Sequence, residues 1–592
     1  MKRSKYVLFG LFLTLCMVGV SHAATLIVTK TADTNDGICN ADCSLREAVA
    51  AANLSAEADR IRFDTTAFAS PQTITLTLGE LVLSQPQAPI LIDGPGANRL
   101  TISGNNASRI ITIGRNVFAV IRGFTFTGGN SVGAADSGRA GAIYNVGGTT
   151  TISDSIITGN TSTGGGGAFN NAGSSSPAPT VPGSLTILYS VVSNNTAAGS
   201  GGSIQNFSGS TLSIENSTFT GNTSTNSTGG GAMALNGIAR ITNTTVSGNS
   251  APAGSGGGIQ SNGTSLTLTN VTVSGNSSLS NGGGIHRATT NISIFLRNTI
   301  VAGNTGTAAS PDATASATIS SLGNNMIGVT GTSTGWIASD LLNTDPKLAP
   351  LGFYGGFGMT HALLDGSPAI NAGNNCVLDV CETGGTAAPI RTDQREVVRR
   401  ASPGVDIGSF EVDNSYRATL ASAAANTAYA YTLVPAASTF TYSVASGNFG
   451  GILLSSAASV NLAGTSVQPG AYNASVQITG PAGSAVVNYQ LNVLANPNIV
   501  SVSGRVVADN GVAVGNVPVN LIDSQGNARL GRTSSFGYFR FDGVAAGQVY
   551  GVEVRSKRYP FGLPRPILVS DVVAGLEIFP LVPLLVPFPA SR

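Results

Sequence analysis

The chain has 592 residues, of which 10% are charged, and a formal net charge of +1. A protein that grips nucleic-acid phosphates carries a basic stripe, so this balance excludes nucleic acid as the expected partner. Glycine is abundant at 76 residues, and with 42% hydrophobic residues a large core is available, so the low charge does not mean disorder.

The first element is a targeting segment. Lys2, Arg3 and Lys5 precede an apolar run from Val7 to Val20, and Ser21-His22-Ala23 fits a small-x-small cleavage site. A signal peptide is expected over 1–23, with the mature chain starting near Ala24. Leu15 is too large for a lipid-attachment box at Cys16, so lipidation is not expected. The apolar tail from Leu576 to Pro589 is short and broken by Pro580, Pro583, Pro587 and Pro589, so no transmembrane segment is expected in the mature chain. Localisation follows: exported, either secreted or at the surface of a bacterial cell envelope.

Four cysteines remain: Cys39, Cys43, Cys376 and Cys381. An exported chain meets oxidising conditions, which favours disulfides. Three connectivities are open, and the two short loops, Cys39 with Cys43 and Cys376 with Cys381, are preferred. Neither spacing matches a zinc arm, so no metal is expected.

"CSLREAVAAAN" (43–53) is the best helix. Ser44 and Glu47 form a capping box, and Leu45, Val49 and Ala52 share a face.

The centre of the chain repeats. Gly-Asn or a near equivalent ends at Asn160, Asn195, Asn222, Asn249, Asn276 and Asn304, at intervals of 35, 27, 27, 27 and 28 residues. The insertion "SSSPAPTVPG" (174–183) accounts for the long interval. Eight residues before each Asn stand Ile152, Ile187, Ile214, Ile241, Leu268 and Leu296; three before stand Ile157, Val192, Phe219, Val246, Val273 and Val301. Between them the chain alternates with Thr and Ser, which marks strands. Six before each stand Asp154, Tyr189, Asn216, Asn243, Asn270 and Asn298, where the alternation changes parity and the chain must bend. Three short strands and three bends per 27 residues make one coil of a parallel β-helix, whereas a propeller blade needs about 40 residues. Stacked coils bury Ile on Ile, and both Asn columns are expected to form hydrogen-bonded ladders along the axis. Degenerate coils lie upstream, from Thr73 to Asn106 and from Val120 to Asn130, and "LGNNMIGVTG" (322–331) looks like a last coil. Beyond Asp413 the period is lost, and alternating runs between turns predict small sandwiches.

Three resemblances sit on this frame. Cys43-Ser44-Leu45-Arg46-Glu47-Ala48 matches the hexapeptide of the CSLREA domain, found at the start of exported bacterial β-helix proteins; it implies no chemistry. "DPKLAPLGFYGGFGMTHALLDGSPAINAG" (345–373), "TDQREVVRR" (392–400) and "VDIGSFE" (405–411) resemble the choice-of-anchor Q domain, which implies a segment that closes the β-helix. Residues 502–561 are similar to the carboxypeptidase regulatory-like domain, a transthyretin-like accessory sandwich, through Gly504, Pro518-Val519, Asp523, Ser535 to Phe539 and Lys557 to Tyr559. The "GNxT…GGxI" repeats also resemble those of bacterial outer-membrane adhesins.

The expected fold is therefore all-β: a right-handed, pectin-lyase-like parallel β-helix with a helical N-terminal cap and two small β-sandwiches. The domain reading is 1–23 signal peptide, 24–70 cap, 71–344 solenoid, 345–413 closing region, 414–495 immunoglobulin-like sandwich, and 499–592 regulatory-like sandwich. Catalysis is not expected. Between Arg109 and Asp312 the only acids are Asp136, Asp154, Glu215 and Asp312, and no paired carboxylates of the glycosidase kind occur. Arg240, Arg287 and Arg297 could supply a lyase base, but an acid cluster to hold calcium is missing. His286 is expected in a surface turn and His361 in a structural role. No cofactor is expected. The expected function is adhesion, or glycan binding, through the hydroxyl-rich solenoid wall; the alternatives are a spacer presenting the sandwiches and a polysaccharide lyase or hydrolase. Oligomeric state is not specified by the sequence.

Overall fold

The structure, a computed structural model, describes residues 25–578 except for 132–137, 176–177, 264, 288–292, 307–311, 316–318, 382–387, 436–439, 457–458, 467, 496–498, 509–511, 524–526, 547, 557, 560, 562–564 and 570. The signal segment 1–23, Asp136, the linker 496–498, Lys557 and the tail beyond 578 lie outside the described residues.

Parallel pairing begins at the first described residues. Thr25–Val28 and Asp59–Phe63 open an 11-stranded sheet, here sheet A, that runs to Ser320–Ser321. Sheet B, also 11-stranded, runs from Gln72–Thr75 to Leu341–Leu342, and sheet C, with nine strands, from Leu81–Leu83 to Ala313–Ala315. Five two-residue strands, Thr161–Ser162 to Ser277–Ser278, add a narrow fourth sheet. The result is a parallel β-helix of about nine turns.

Register follows the repeat. Ile152, Ile187, Ile214, Ile241, Leu268 and Leu296 pair in one column of sheet A, each at most 1% exposed. Ile157, Val192, Phe219, Val246, Val273 and Val301 form the matching column of sheet B. Ile143, Phe169, Ile204, Met233, Ile259 and Ile285 supply the third from sheet C. A single coil has no partner for these side chains, so burial, worth about 1.5–3 kcal/mol per large aliphatic residue, is gained only by stacking.

The two bends are built differently. Asp154, Tyr189, Asn216, Asn243, Asn270 and Asn298 all have positive φ, between 44° and 54°. That left-handed turn lets sheet A pass into sheet B, and Asn adopts it at less cost than most residues. At the next bend glycine takes the positive φ, and the Asn after it points inward. Where the coil has no glycine, Asn194 replaces it at φ 53°.

The N-terminal end is covered by the helix Leu45–Leu54, which packs on Thr25–Val28, Asp59–Phe63 and Leu81–Leu83. The Ser44–Glu47 capping box is formed, and Leu45, Ala48, Val49 and Ala52 are buried. Arg46 pins the helix to the solenoid through Asp33, at 2.7 and 3.0 Å, and through the carbonyls of Gly79 and Glu80. A disulfide joins Cys39 to Cys43, and a second joins Cys376 to Cys381. At the far end Trp336 packs against the solenoid core, while Asp340 binds Asn325 and Ser321.

Residues 345–413 do not close an end of the solenoid, as the resemblance implied. They lie along its flank as a strap over sheet B. Thr218 donates to the Met359 carbonyl, Thr245 donates to Gln394 Oε1, and the Ser409 N–H donates to Thr272 Oγ1. The end was already covered, while the Thr column of sheet B offered a row of hydroxyls to bind. The strap is held in shape by buried ion pairs, Arg395 with Asp393 at 2.7 Å and Arg399 with Glu411 at 2.9 Å.

Strap and first sandwich share one hydrophobic core, which includes Tyr354, Phe410, Leu433 and Tyr489 and reaches Ile300 of the solenoid. That sandwich packs a five-stranded sheet, with the long hairpin Gly470–Gly480 and Gly483–Leu494, on a three-stranded one. The last sandwich, from Ile499–Val506 to Val573–Ile578, pairs three- and four-stranded sheets around its own core.

Candidate functional site

Each long sheet has an outward face, and only one is open. On sheet B the strap buries Thr218, Thr245 and Thr272 to at most 1% exposure. On sheet C the glycine-rich bends fold over the strands, leaving Tyr144, Asn170 and Gln260 buried although they point away from the core. Those bends stack so closely that a Cβ on Gly202 would lie 2.0 Å from the Gly231 carbonyl, and one on Gly165 2.0 Å from Gln205 Oε1. Glycine is required at these two positions by space, and at the adjoining Gly201 and Gly166 also by φ, at 75° and 70°.

Sheet A keeps its face in solvent. One column reads Phe118, Thr149, Ser184, Thr211, Ile238, Ser265, Ser293 and the next Val120, Thr151, Thr186, Ser213, Arg240, Thr267, Phe295. Arg240 is the single charge on these fourteen positions, and none of them is buried. The rungs repeat at about 4.8 Å, so the seven make a strip of about 30 Å lined with hydroxyls and ended by Phe118 and Phe295.

The predicted ladder residues divide. Asn160, Asn195, Asn222, Asn249, Asn276 and Asn304 form one continuous chain, each Nδ2 donating to the next Oδ1 at 2.8–3.0 Å. Each Oδ1 from Asn195 onward also accepts the backbone N–H of the preceding rung, and a second Nδ2 hydrogen reaches a carbonyl one coil back, as from Asn249 to Phe219. The chain ends on an acceptor-only group, Asp312, which takes both the Asn304 N–H and Nδ2 at Oδ1 and the Val329 N–H at Oδ2. Sequence reading missed Asp312 as the terminus of the ladder. A second, shorter ladder, Asn145 to Asn171 to Asn206, was also missed; all three share the sheet C register.

The other column is not a ladder, which corrects the expectation for Asp154, Asn216, Asn243, Asn270 and Asn298. The left-handed backbone turns these side chains outward, and two of them hold the strap: Asn243 donates to the Thr392 carbonyl at 2.8 Å, and Asn298 to that of Asn374 at 3.1 Å. The side-chain atoms of Asn270 are buried without a hydrogen-bond partner among the described residues.

The remaining candidates are scattered. Asp154 sits beside Ser153, Tyr189 and the Glu396–Arg565 ion pair, and burial pushes its carboxyl up against the opposing pull of Ser153 and Arg122. Glu215 ends the strand Thr211–Glu215, exposed, and crowding by neighbouring coils raises it too. Ser153, Leu188 and Glu215 are in register, so Asp154 and Glu215 lie two rungs apart, about 10 Å along the axis. That is wider than the roughly 5–5.5 Å of a retaining glycosidase pair. Arg287 and Arg297 are buried at strand ends, Arg287 on sheet C and Arg297 on sheet A two rungs beyond Arg240. His286 lies in the strand Ile285–Arg287, not in a surface turn, and burial lowers its pKa. His361 belongs to the strap and is buried between it and sheet B. The Ala349 carbonyl can only accept, so Nδ1 carries the proton and Nε2 accepts from Ser247. Among the described residues no group of three or more His, Cys, Asp or Glu is placed to hold a metal ion, and no helix is long and apolar enough to cross a membrane.

No family model matches this chain, and no curated protein matches it. Among solved structures it is similar to the enzymatically active domain of tailspike protein 2 of bacteriophage CBA120, at 13% identity and a TM-score of 0.27, over 91% of this chain and 83% of that one.

Proposed function

We propose that this is an exported, non-catalytic β-helix protein of a bacterial surface that binds neutral glycan along the open face of sheet A. The observation that carries this reading is two columns of the sheet A face: fourteen outward positions with one charge and hydroxyls at about 4.8 Å intervals, Phe118 and Phe295 at the ends, bordered by a third column that carries Arg122, Glu215 and Arg297. Hydroxyl rows offer donors and acceptors to a polymer that has the same groups, and exposed aromatic rings pack on sugar faces. Two disulfides suit an oxidising compartment, which supports export and the signal segment at 1–23. The CSLREA reading of the cap, the choice-of-anchor Q reading of the strap and the regulatory-like reading of the last sandwich belong to the same proposal, with the domain limits given above.

The test uses the mature chain from Ala24 on a glycan array, with a parallel assay for reducing or unsaturated sugar ends. Binding without release is expected, and Thr151→Glu with Thr186→Glu should abolish it by placing like charges on adjacent rungs of the face. A second reading, polysaccharide hydrolysis, is favoured by one observation: Asp154 and Glu215 are both raised carboxyls on the same edge. Sugar release that is lost in Asp154→Asn and Glu215→Gln would replace the binding reading with this one.

A further inference from the structure

A cleft of about 520 Å³ opens where the edge of the strap meets both sandwiches. Its size suits a small ligand, and junctions between domains are where such sites gather. Four guanidinium groups line it, from Arg400, Arg417, Arg505 and Arg540, with three carboxyls, from Glu396, Asp413 and Glu577. Several of these charges are already paired: Glu396 with Arg565, Asp413 with Arg400 at 3.6 Å, and Arg540 with Asp542 at 2.7 Å, which leaves Arg417 and Arg505 to meet a ligand. The wall is net basic by one charge, four guanidinium groups against three carboxyls.

Two further features define what it can hold. Arg505 stands over the ring of Tyr538, 5.3 Å from its centroid, and Tyr538 is 58% exposed, so an aromatic surface with a fixed cation beside it faces the opening. Glu577 Oε2 is buried without a hydrogen-bond partner among the described residues, and burial pushes this carboxyl up. An acceptor left in that state calls for a donor from whatever fills the cleft. A ligand that brings an anion, a flat apolar ring face and hydroxyl donors together is an acidic sugar.

We propose that this cleft binds an acidic saccharide, with its carboxylate toward Arg505 and Arg417, its ring on Tyr538 and a hydroxyl donating to Glu577. Arginine is suited to the first task because its fork matches a carboxylate in two bonds. The site is separate from the solenoid face and stands independently of it.

The experiment is calorimetric titration of the mature chain with a tri- or tetragalacturonate, and with a neutral oligosaccharide of equal length, at low and high salt. The acidic oligomer should bind at least about tenfold tighter than the neutral one and weaken several-fold with salt. Arg505→Gln and Tyr538→Ala should each weaken it about tenfold, with an unchanged unfolding temperature reporting an intact fold. Should either fail to fold, Arg417→Gln replaces it, because Arg417 is exposed. The proposal is overturned by no binding of the acidic oligomer, by equal affinity for both sugars in the Thr151→Glu, Thr186→Glu variant whose solenoid face is blocked, or by full affinity in the folded cleft variants. Thr151→Glu on the solenoid face should leave this binding unchanged.

Discussion

Two columns of asparagine run the length of the solenoid, six residues apart in every regular coil, and they serve opposite ends. The one ending at Asn304 faces inward and spends none of its polar atoms on solvent: each side chain is bonded to the rung ahead, the backbone of the rung behind and a carbonyl of the core. The one ending at Asn298 is chosen for its backbone, at φ 44° to 54°, and its side chains are left for whatever docks outside. Identical residue type and period thus conceal a side-chain requirement in one column and a backbone requirement in the other. The exceptions agree: the bend column accepts Asp154 and Tyr189, while the ladder admits only amides until its terminal carboxylate at Asp312.

The largest effect expected from this contrast is at the middle of the ladder. Asn249→Ala removes the acceptor of two buried donors, the N–H and Nδ2 of Asn222. At about 1–3 kcal/mol for each orphaned group, the solenoid should lose about 3–5 kcal/mol, read from the shift of its denaturant midpoint. A loss below about 1 kcal/mol would mean that water replaces the ladder and that its bonds are not what orders the coils.

Asp312→Asn should cost less, about 1–3 kcal/mol. The carboxylate accepts on both oxygens, from Asn304 and from Val329, and an amide must turn a donor toward one of them. Asn304→Ala measured alongside, with the double variant, would separate the pair from its surroundings.

How much of this was readable in the chain depends on whether a feature is periodic. The columns headed by Ile152 and Ile157, the cap helix and the Asn160 column recur or carry a local signal, and they are visible in the residues alone. Asp312 was not, because it follows Asn304 by eight residues where the repeat would place its successor 27 or 28 later. The strap was recognised as a segment but not placed, because its contacts join residues from 48 to 176 positions apart with no rule of spacing. Alternation told which residues of sheets A and B point outward. It did not tell that the strap would cover sheet B and the glycine bends sheet C, so the open face at Thr151 and Thr186 emerged only from the assembled molecule.

The strap supplies a pH test of the outer bend column, since Arg399 binds both Asn243 and Glu411. Burial and the neighbouring Asp406 raise Glu411 to about 7, even though Arg399 opposes them. The folded strap therefore holds a proton that the unfolded chain releases near its ordinary value of 4.5. Stability from this group is full below 4.5 and is lost as pH rises toward 7, so unfolding midpoints should fall across that window, by on the order of 1–3 kcal/mol. Glu411→Gln should flatten the profile. A midpoint that instead stays flat across this window in the unaltered chain would mean that Arg399 keeps Glu411 ionised throughout.

The smallest expected effect is the sharpest statement of the comparison. Asn270→Gly keeps the left-handed bend, because glycine adopts φ 54° without strain, and removes a side chain whose polar atoms are buried without partners. Loss of its packing and relief of that desolvation oppose each other, so the net change should stay within about 1 kcal/mol. Asn270→Ala retains a Cβ in the left-handed region and should cost about 1–2 kcal/mol. Asn276→Gly, six residues on, removes the acceptor for the N–H and Nδ2 of Asn249 and should cost about as much as Asn249→Ala. Equal losses for Asn270→Gly and Asn276→Gly in the same denaturation series would erase the distinction between backbone and side-chain columns; a difference of about 2 kcal/mol or more would establish it.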